Sequence, residues 1–184
     1  MRVLLRVFVL IVVLVAVAVL AFVFTSRPDL EDAQKQVDTT WTATLTPLDA
    51  RYTLLAQANA PLLPRPGPAG ELAKDVDAEL QKWVKAREAK DRAAAIEAAN
   101  ELEGLGRRVV VLVNASAPLS ADPAVKGPTD AYAAAPLPAE LTAFSKAVQA
   151  YADERKGPVK SVVADVFGYD SIPSIAVPAP PAPA

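Results

Sequence analysis

Histidine and cysteine are both missing from these 184 residues. Without histidine the chain lacks the commonest general base near neutral pH. Without either residue it lacks the usual zinc and haem ligands and any thiol nucleophile. No disulfide framework can form, a fact that fits either side of a membrane. Glycine is scarce, at 7, and most of the 17 prolines fall in a few segments. The chain is therefore divided into long helix-permissive stretches rather than many short strands. A basic excess is also lacking: leaving out Arg2 and Arg6, 17 basic side chains stand against 21 acidic ones. A nucleic-acid binder would show a basic field or stripe, so no nucleic-acid partner is expected.

What the chain does have is an uncharged apolar run of 18 residues, Val7 to Phe24, with Arg2 and Arg6 before it and Arg27 after it. A helix of that length spans roughly 27 Å, close to the hydrocarbon thickness of a bilayer. The run is longer than the apolar region of a signal peptide. Its exit, Phe22-Val23-Phe24-Thr25-Ser26-Arg27-Pro28, is bulky where a cleavage site needs small residues. We expect a single-pass anchor at residues 7–24 after a short flank at 1–6, in contact with the lipid bilayer. The flank carries Arg2, Arg6 and the α-amine, against Arg27 and Lys35 beyond the run. That count tilts the body of the protein to the extracytoplasmic side of the cell membrane.

The remaining 155 or so residues suffice for one domain with its own core, expected over 27–177. Leu30, Val37, Trp41, Leu45, Leu48, Tyr52 and Leu55 recur at three- and four-residue steps, which predicts a helix over about 29–60. Pro28-Asp29 suits its start, and Pro47 is expected to kink or split it near Thr46. A Pro-rich break at 61–70 follows. Leu72, Val76, Leu80, Trp83 and Val84 predict a second helix over about 71–90. Ile96, Ala99, Leu102, Leu105, Val109 and Leu112 predict a third over about 92–114. Val109–Val113 alone could pass for a strand, but the three/four spacing continues through it. Residues 116–138 hold five prolines and read as a long irregular connection. A fourth helix is expected over about 139–156, burying Leu141, Phe144, Val148 and Tyr151. After Gly157-Pro158 a short amphipathic piece with Val159, Val162, Val163, Val166 and Phe167 ends at Gly168. The expected fold is all-α: an antiparallel, roughly four-helix bundle behind a transmembrane helix, with a Pro/Ala-rich tail at 178–184.

Four stretches, in order, resemble the LemA family. Val37-Asp38, Trp41, Leu48, Arg51-Tyr52 and Leu54 are similar to its opening helix. Ala99-Asn100-Glu101-Leu102 with Leu105-Gly106-Arg107 resembles its central segment. Ala143-Phe144-Ser145-Lys146-Ala147-Val148 with Tyr151 resembles a third, and Val163-Ala164-Asp165-Val166-Phe167-Gly168-Tyr169 its terminal segment. Thr53-Leu54-Leu55-Ala56-Gln57 departs from the family's DLIPN, and Ser145 replaces its asparagine. The resemblance covers nearly the whole chain. It implies an antiparallel helical bundle with no established catalytic residues. It also implies a short N-terminus outside the cell, the orientation opposite to the one the basic residues suggest.

Nothing in the residues selects a catalytic site, and no enzyme is expected. Glu97 and Glu101 share a helical face, but a di-metal bundle site would add Glu-x-x-His pairs, so they read as a solvated face. Gly104-Leu105-Gly106 lies inside a helical pattern with no strand before it, which points to close packing rather than a phosphate loop. Asn114-Ala115-Ser116 fits a glycosylation sequon that matters only in a glycosylating pathway. Trp41, Trp83 and Tyr52 sit at core spacing. Lys82, Lys85, Arg87, Lys90 and Arg92 are interspersed with Glu88 and Asp91, the pattern of a solvated face. No catalytic, cofactor-binding or metal-ligating residue is singled out, and no cofactor is expected. The expected role is a membrane-tethered scaffold or adaptor for a protein partner. The alternatives are a module for cell-wall glycan and a bundle holding an apolar ligand.

Overall fold

The computed structural model describes the backbone of residues 2–175 and the side chains of 27–157 and 160–175. The side chains of the apolar run 7–24, and the whole tail 178–184, lie outside the described residues. Among the described residues no helix is long and apolar enough to cross a membrane. The protein is all-helical, with no strand among the described residues. Its elements are α1 (Arg2–Asn59), α2 (Pro68–Ala89), α3 (Arg92–Ala115), α4 (Ala117–Ser120), α5 (Pro123–Ala134), α6 (Ala139–Glu154) and α7 (Pro158–Phe167). Val109–Val113 is helical, as its spacing predicts.

Three expectations need correction. No helix starts at Pro28-Asp29: α1 is one helix through both Pro28 and Pro47. A proline inside a helix forfeits one hydrogen bond and costs about 3 kcal/mol. The buried residues Trp41, Thr44, Leu48, Tyr52 and Leu55 keep their three/four spacing across Pro47, and that packing holds the helix together. Residues 116–138 are also not an irregular connection, since they contain α4 and α5. Two of the prolines there serve helix starts. Pro118 lies in the first turn of α4, and Pro123 opens α5 behind Asp122, whose side chain accepts from the Ala124 N–H. Proline suits the first turn because its missing N–H would be unpaired there anyway. Pro128 sits inside α5, between the buried Val125, Thr129 and Tyr132. The third correction concerns faces: Val84, Val162, Val166 and Phe167, read above as apolar-face positions, are exposed.

Among the described residues the chain divides into two compact units, Thr40–Ser145 with 173–175, and 2–39 with Lys146–Ile172. In the first unit α2 and α3 form a hairpin with a two-residue link. Lys90 adopts a left-handed conformation (φ 56°), and the Asp91 N–H returns to the Ala86 carbonyl at 2.9 Å. This closes the last carbonyls of α2 by the Schellman pattern. Asp91 then caps α3 by accepting from the Ala94 N–H at 3.0 Å. Packing of α3 against α2, α4 and α5 brings Leu72, Val76, Trp83, Ile96, Leu102, Val109, Val113, Val125 and Tyr132 into the core. The end of α1 is tied in by Asn59, whose side-chain amide donates to the Ala73 carbonyl at 2.8 Å.

In the second unit Leu30, Val37, Val148, Tyr151, Val163, Ala164 and Tyr169 are buried. Gly168 (φ 73°) stops α7, and the Tyr169 N–H returns to the Ala164 carbonyl at 2.8 Å. The Tyr151 hydroxyl donates to the Asp170 carbonyl at 3.0 Å, anchoring the segment beyond α7.

Candidate functional site

Arg51 lies on the inner stripe of α1, between Leu48 and Leu55. Its guanidinium grips the Glu103 carboxylate of α3 with two bonds, Nε at 2.7 Å and the second nitrogen at 2.9 Å. The third nitrogen donates to the Ala135 carbonyl at 2.7 Å, at the end of α5. The same cation stands over the Tyr132 ring, 4.5 Å from its centroid. Both charges are nearly out of water, with side-chain exposures of 11% and 3%. Burial by itself would lower the Arg51 pKa. The Glu103 hydrogen bonds and the nearby Tyr132 and Glu103 charges outweigh it and raise the pKa, so the guanidinium stays charged. Burial pushes the Tyr132 hydroxyl up to about 12, with help from the Glu103 charge and against the pull of Arg51. The Tyr52 hydroxyl is raised for the same first reason; it donates to the Ala99 carbonyl at 3.3 Å.

Behind this pair, Gly106 gives Tyr132 its place. A Cβ at Gly106 would fall 2.1 Å from the Tyr132 hydroxyl oxygen and 2.6 Å from Cζ, so α3 and α5 meet through a missing side chain. Gly104 has open space where its Cβ would stand. Of the Gly-Leu-Gly triplet, one glycine is therefore a packing contact and the other is not.

Asp49 gathers a second cluster on α1 and α2. It accepts from the Trp83 indole N–H at 2.9 Å and pairs with Arg87 at 3.0 Å. Trp83 meets Tyr52 edge-on with ring centroids 5.0 Å apart. Trp41 packs on Phe144 at 5.2 Å. All three candidate aromatics are thus buried packing residues.

The outer faces of α2 and α3 leave an open groove of about 600 Å³. Ala86, Ala89, Ala94 and Ala98 are small side chains along it, and Glu79, Lys82, Lys85, Asp91, Glu97 and Glu101 supply the charge. Lys82 pairs with Glu79 at 2.8 Å. That bond raises the Lys82 pKa first, and the charges of Glu79, Glu97 and Glu101 add to it. The structure thus brings Glu97 and Glu101 together with Lys82 and Lys85. The other basic positions go elsewhere: Arg87 turns to Asp49, Lys90 forms the helix stop, and Arg92 opens α3. Asn114 is exposed near the end of α3. Among the described residues no group of three or more acidic side chains could hold a metal ion.

Comparison of the chain with family models, with curated proteins and with solved structures finds no match to any of them.

Composition and spacing read the groove's charges as solvated faces and singled out neither Glu103 nor Asp49, while Arg51 entered only through the family resemblance. A signal for Arg51 and Glu103 was present. Arg51 sits three residues after Leu48 and four before Leu55, and Glu103 four after Ala99 and three before Gly106, each on an apolar stripe. A charge on a buried stripe needs an opposite partner, and these two stripes supplied one to each other.

Proposed function

We propose that the chain is a scaffold or adaptor held at a membrane by residues 7–24, with its helices arranged as an antiparallel, LemA-like bundle that engages a protein partner. The α2–α3 groove carries this reading. An alanine-lined channel lets a partner helix come close, and both signs of charge along it supply register rather than bulk attraction. Tethering raises local concentration, so a modest contact area suffices. The positions that carry the resemblance fall partly inside, with Leu54 and Leu105 half-buried and Phe167 exposed. Val37, Trp41, Leu48, Tyr52, Ala99, Leu102, Gly106, Phe144, Val148, Tyr151, Val163 and Tyr169 all lie inside, and Arg51 holds the buried ion pair.

The test uses the absence of native cysteine. A single-cysteine variant, Lys85→Cys, carries a crosslinker into the groove in native membranes, with Lys146→Cys as a second exposed site. The expected result is one dominant protein, recovered stoichiometrically from the Lys85 position and lost when Glu97 and Glu101 are both changed to Lys. Recovery of only non-specific neighbours contradicts the scaffold reading and shifts weight to cell-wall glycan or a small ligand.

A further inference from the structure

The short helix α7 presents apolar side chains to solvent: Val162 is 58% exposed, Val166 72% and Phe167 45%. Val162 and Val166 are one turn apart and share a face. Their neighbours Val163 and Ala164 are buried, so the helix is anchored from its other side. One contact of Phe167 fixes its surroundings: the Arg27 guanidinium lies over its ring, 5.1 Å from the centroid. Arg27 is the third residue beyond Phe24, where the apolar run ends. On a helix that is an axial distance of about 4.5 Å.

We propose that the exposed face of α7 is seated in the headgroup–acyl boundary of the bilayer that holds residues 7–24. The inference rests on the anchor reading of that run. If the run fills the hydrocarbon core, Arg27 stands at headgroup level, where a cation meets lipid phosphate. Phe167, stacked on Arg27, then stands at the same depth. Interfacial helices bury their apolar side by about 5–10 Å at this boundary, which covers Val162 and Val166, with Phe167, roughly 100° round the helix from Val166, at the border of that face. Asp165 and Ser161 lie on one flank of the Val162/Val166 pair. Ser161 and Asp165 are exposed, and Lys160 is engaged with Glu154 at 2.6 Å. The bilayer is thus the occupant that continuity with the anchor selects.

The full chain with a single cysteine at Val166 carries an environment-sensitive fluorophore in phosphatidylcholine/phosphatidylglycerol vesicles that contain brominated lipid. Val15→Cys reports the anchor. Thr39→Cys, exposed and about 18 Å further along α1 than Arg27, reports water. The expected result is a blue-shifted probe at 166, quenched by lipids brominated high in the acyl chain, while the probe at 39 is unquenched. A probe at 15 quenched deep in the bilayer beside an unquenched probe at 166 overturns this inference and leaves the anchor standing. An unquenched probe at 15 overturns both. A blue-shifted probe at 166 that brominated lipid does not quench assigns the face to a second copy and also overturns the inference.

Discussion

The Arg51–Glu103 pair joins α1 to α3 with both charges nearly out of water, at side-chain exposures of 11% and 3%. Two charges taken from water cost several kcal/mol each, a cost that the two parallel bonds and the Ala135 carbonyl only offset. Breaking the pair from one side should therefore be worse than removing it. Glu103→Ala is expected to lower unfolding stability by about 3–5 kcal/mol, and Arg51→Met/Glu103→Leu to recover most of that loss, read by urea denaturation. Equal losses in the single and double variants would contradict the account. Tyr132 makes a second residue-scale prediction. Its ordinary pKa of 10.0 rises to about 12 in the fold, so the folded chain keeps a proton that the unfolded chain gives up. Stability is then fully present below pH 10 and falls as pH rises toward 12, because above 10 the unfolded state binds fewer protons. Absorbance of tyrosinate should lag behind in the folded protein and appear with loss of helix. Ionisation of every tyrosine near pH 10 with the helix signal intact would refute this.

At the scale of elements, α3 holds two glycines of opposite meaning. Gly104→Ala adds a methyl group to open space and should stabilise the protein by about 0.8–1 kcal/mol through helix propensity. Gly106→Ala drives a methyl group into Tyr132, and overpacking of about 1–3 kcal/mol should outweigh the same gain. Melting temperatures moving in the same direction for both would contradict the close approach of α3 and α5. The link between α2 and α3 is one residue of stop and one of start. Asp91→Ala removes the cap on the Ala94 N–H and should cost about 1 kcal/mol in thermal unfolding. Periodicity made α2, α3 and α6 legible to within a few residues, because most of their apolar stripes coincide with their buried faces, Val84 of α2 excepted. It failed at α5 because proline density was read as irregularity, whereas Asp122-Pro123 is a helix start. It placed a helix start at Pro28 and allowed a split at Pro47, where α1 is continuous, because a local penalty of one hydrogen bond was weighed without the burial of Trp41, Thr44, Leu48 and Tyr52 around Pro47. The candidate groove was visible as separate charges on two helices. That Lys82 feels Glu97 and Glu101 depends on the hairpin, which no linear spacing states.

For the whole molecule, an uncharged run at one end is joined to a helical body that carries both signs of charge, 17 basic against 21 acidic side chains. The groove, the tether and the apolar face of α7 make one coherent proposal only if residues 7–24 are embedded in a bilayer. Alkaline carbonate extraction of native membranes holding the full chain, with an impermeant thiol reagent applied to the Lys146→Cys variant in intact and lysed cells, measures this directly. The account predicts that the protein stays in the membrane pellet and that the thiol introduced by Lys146→Cys labels in intact cells. Labelling only after lysis would reverse the orientation and keep the anchor, while release of the protein into the soluble fraction at alkaline pH would contradict the central claim.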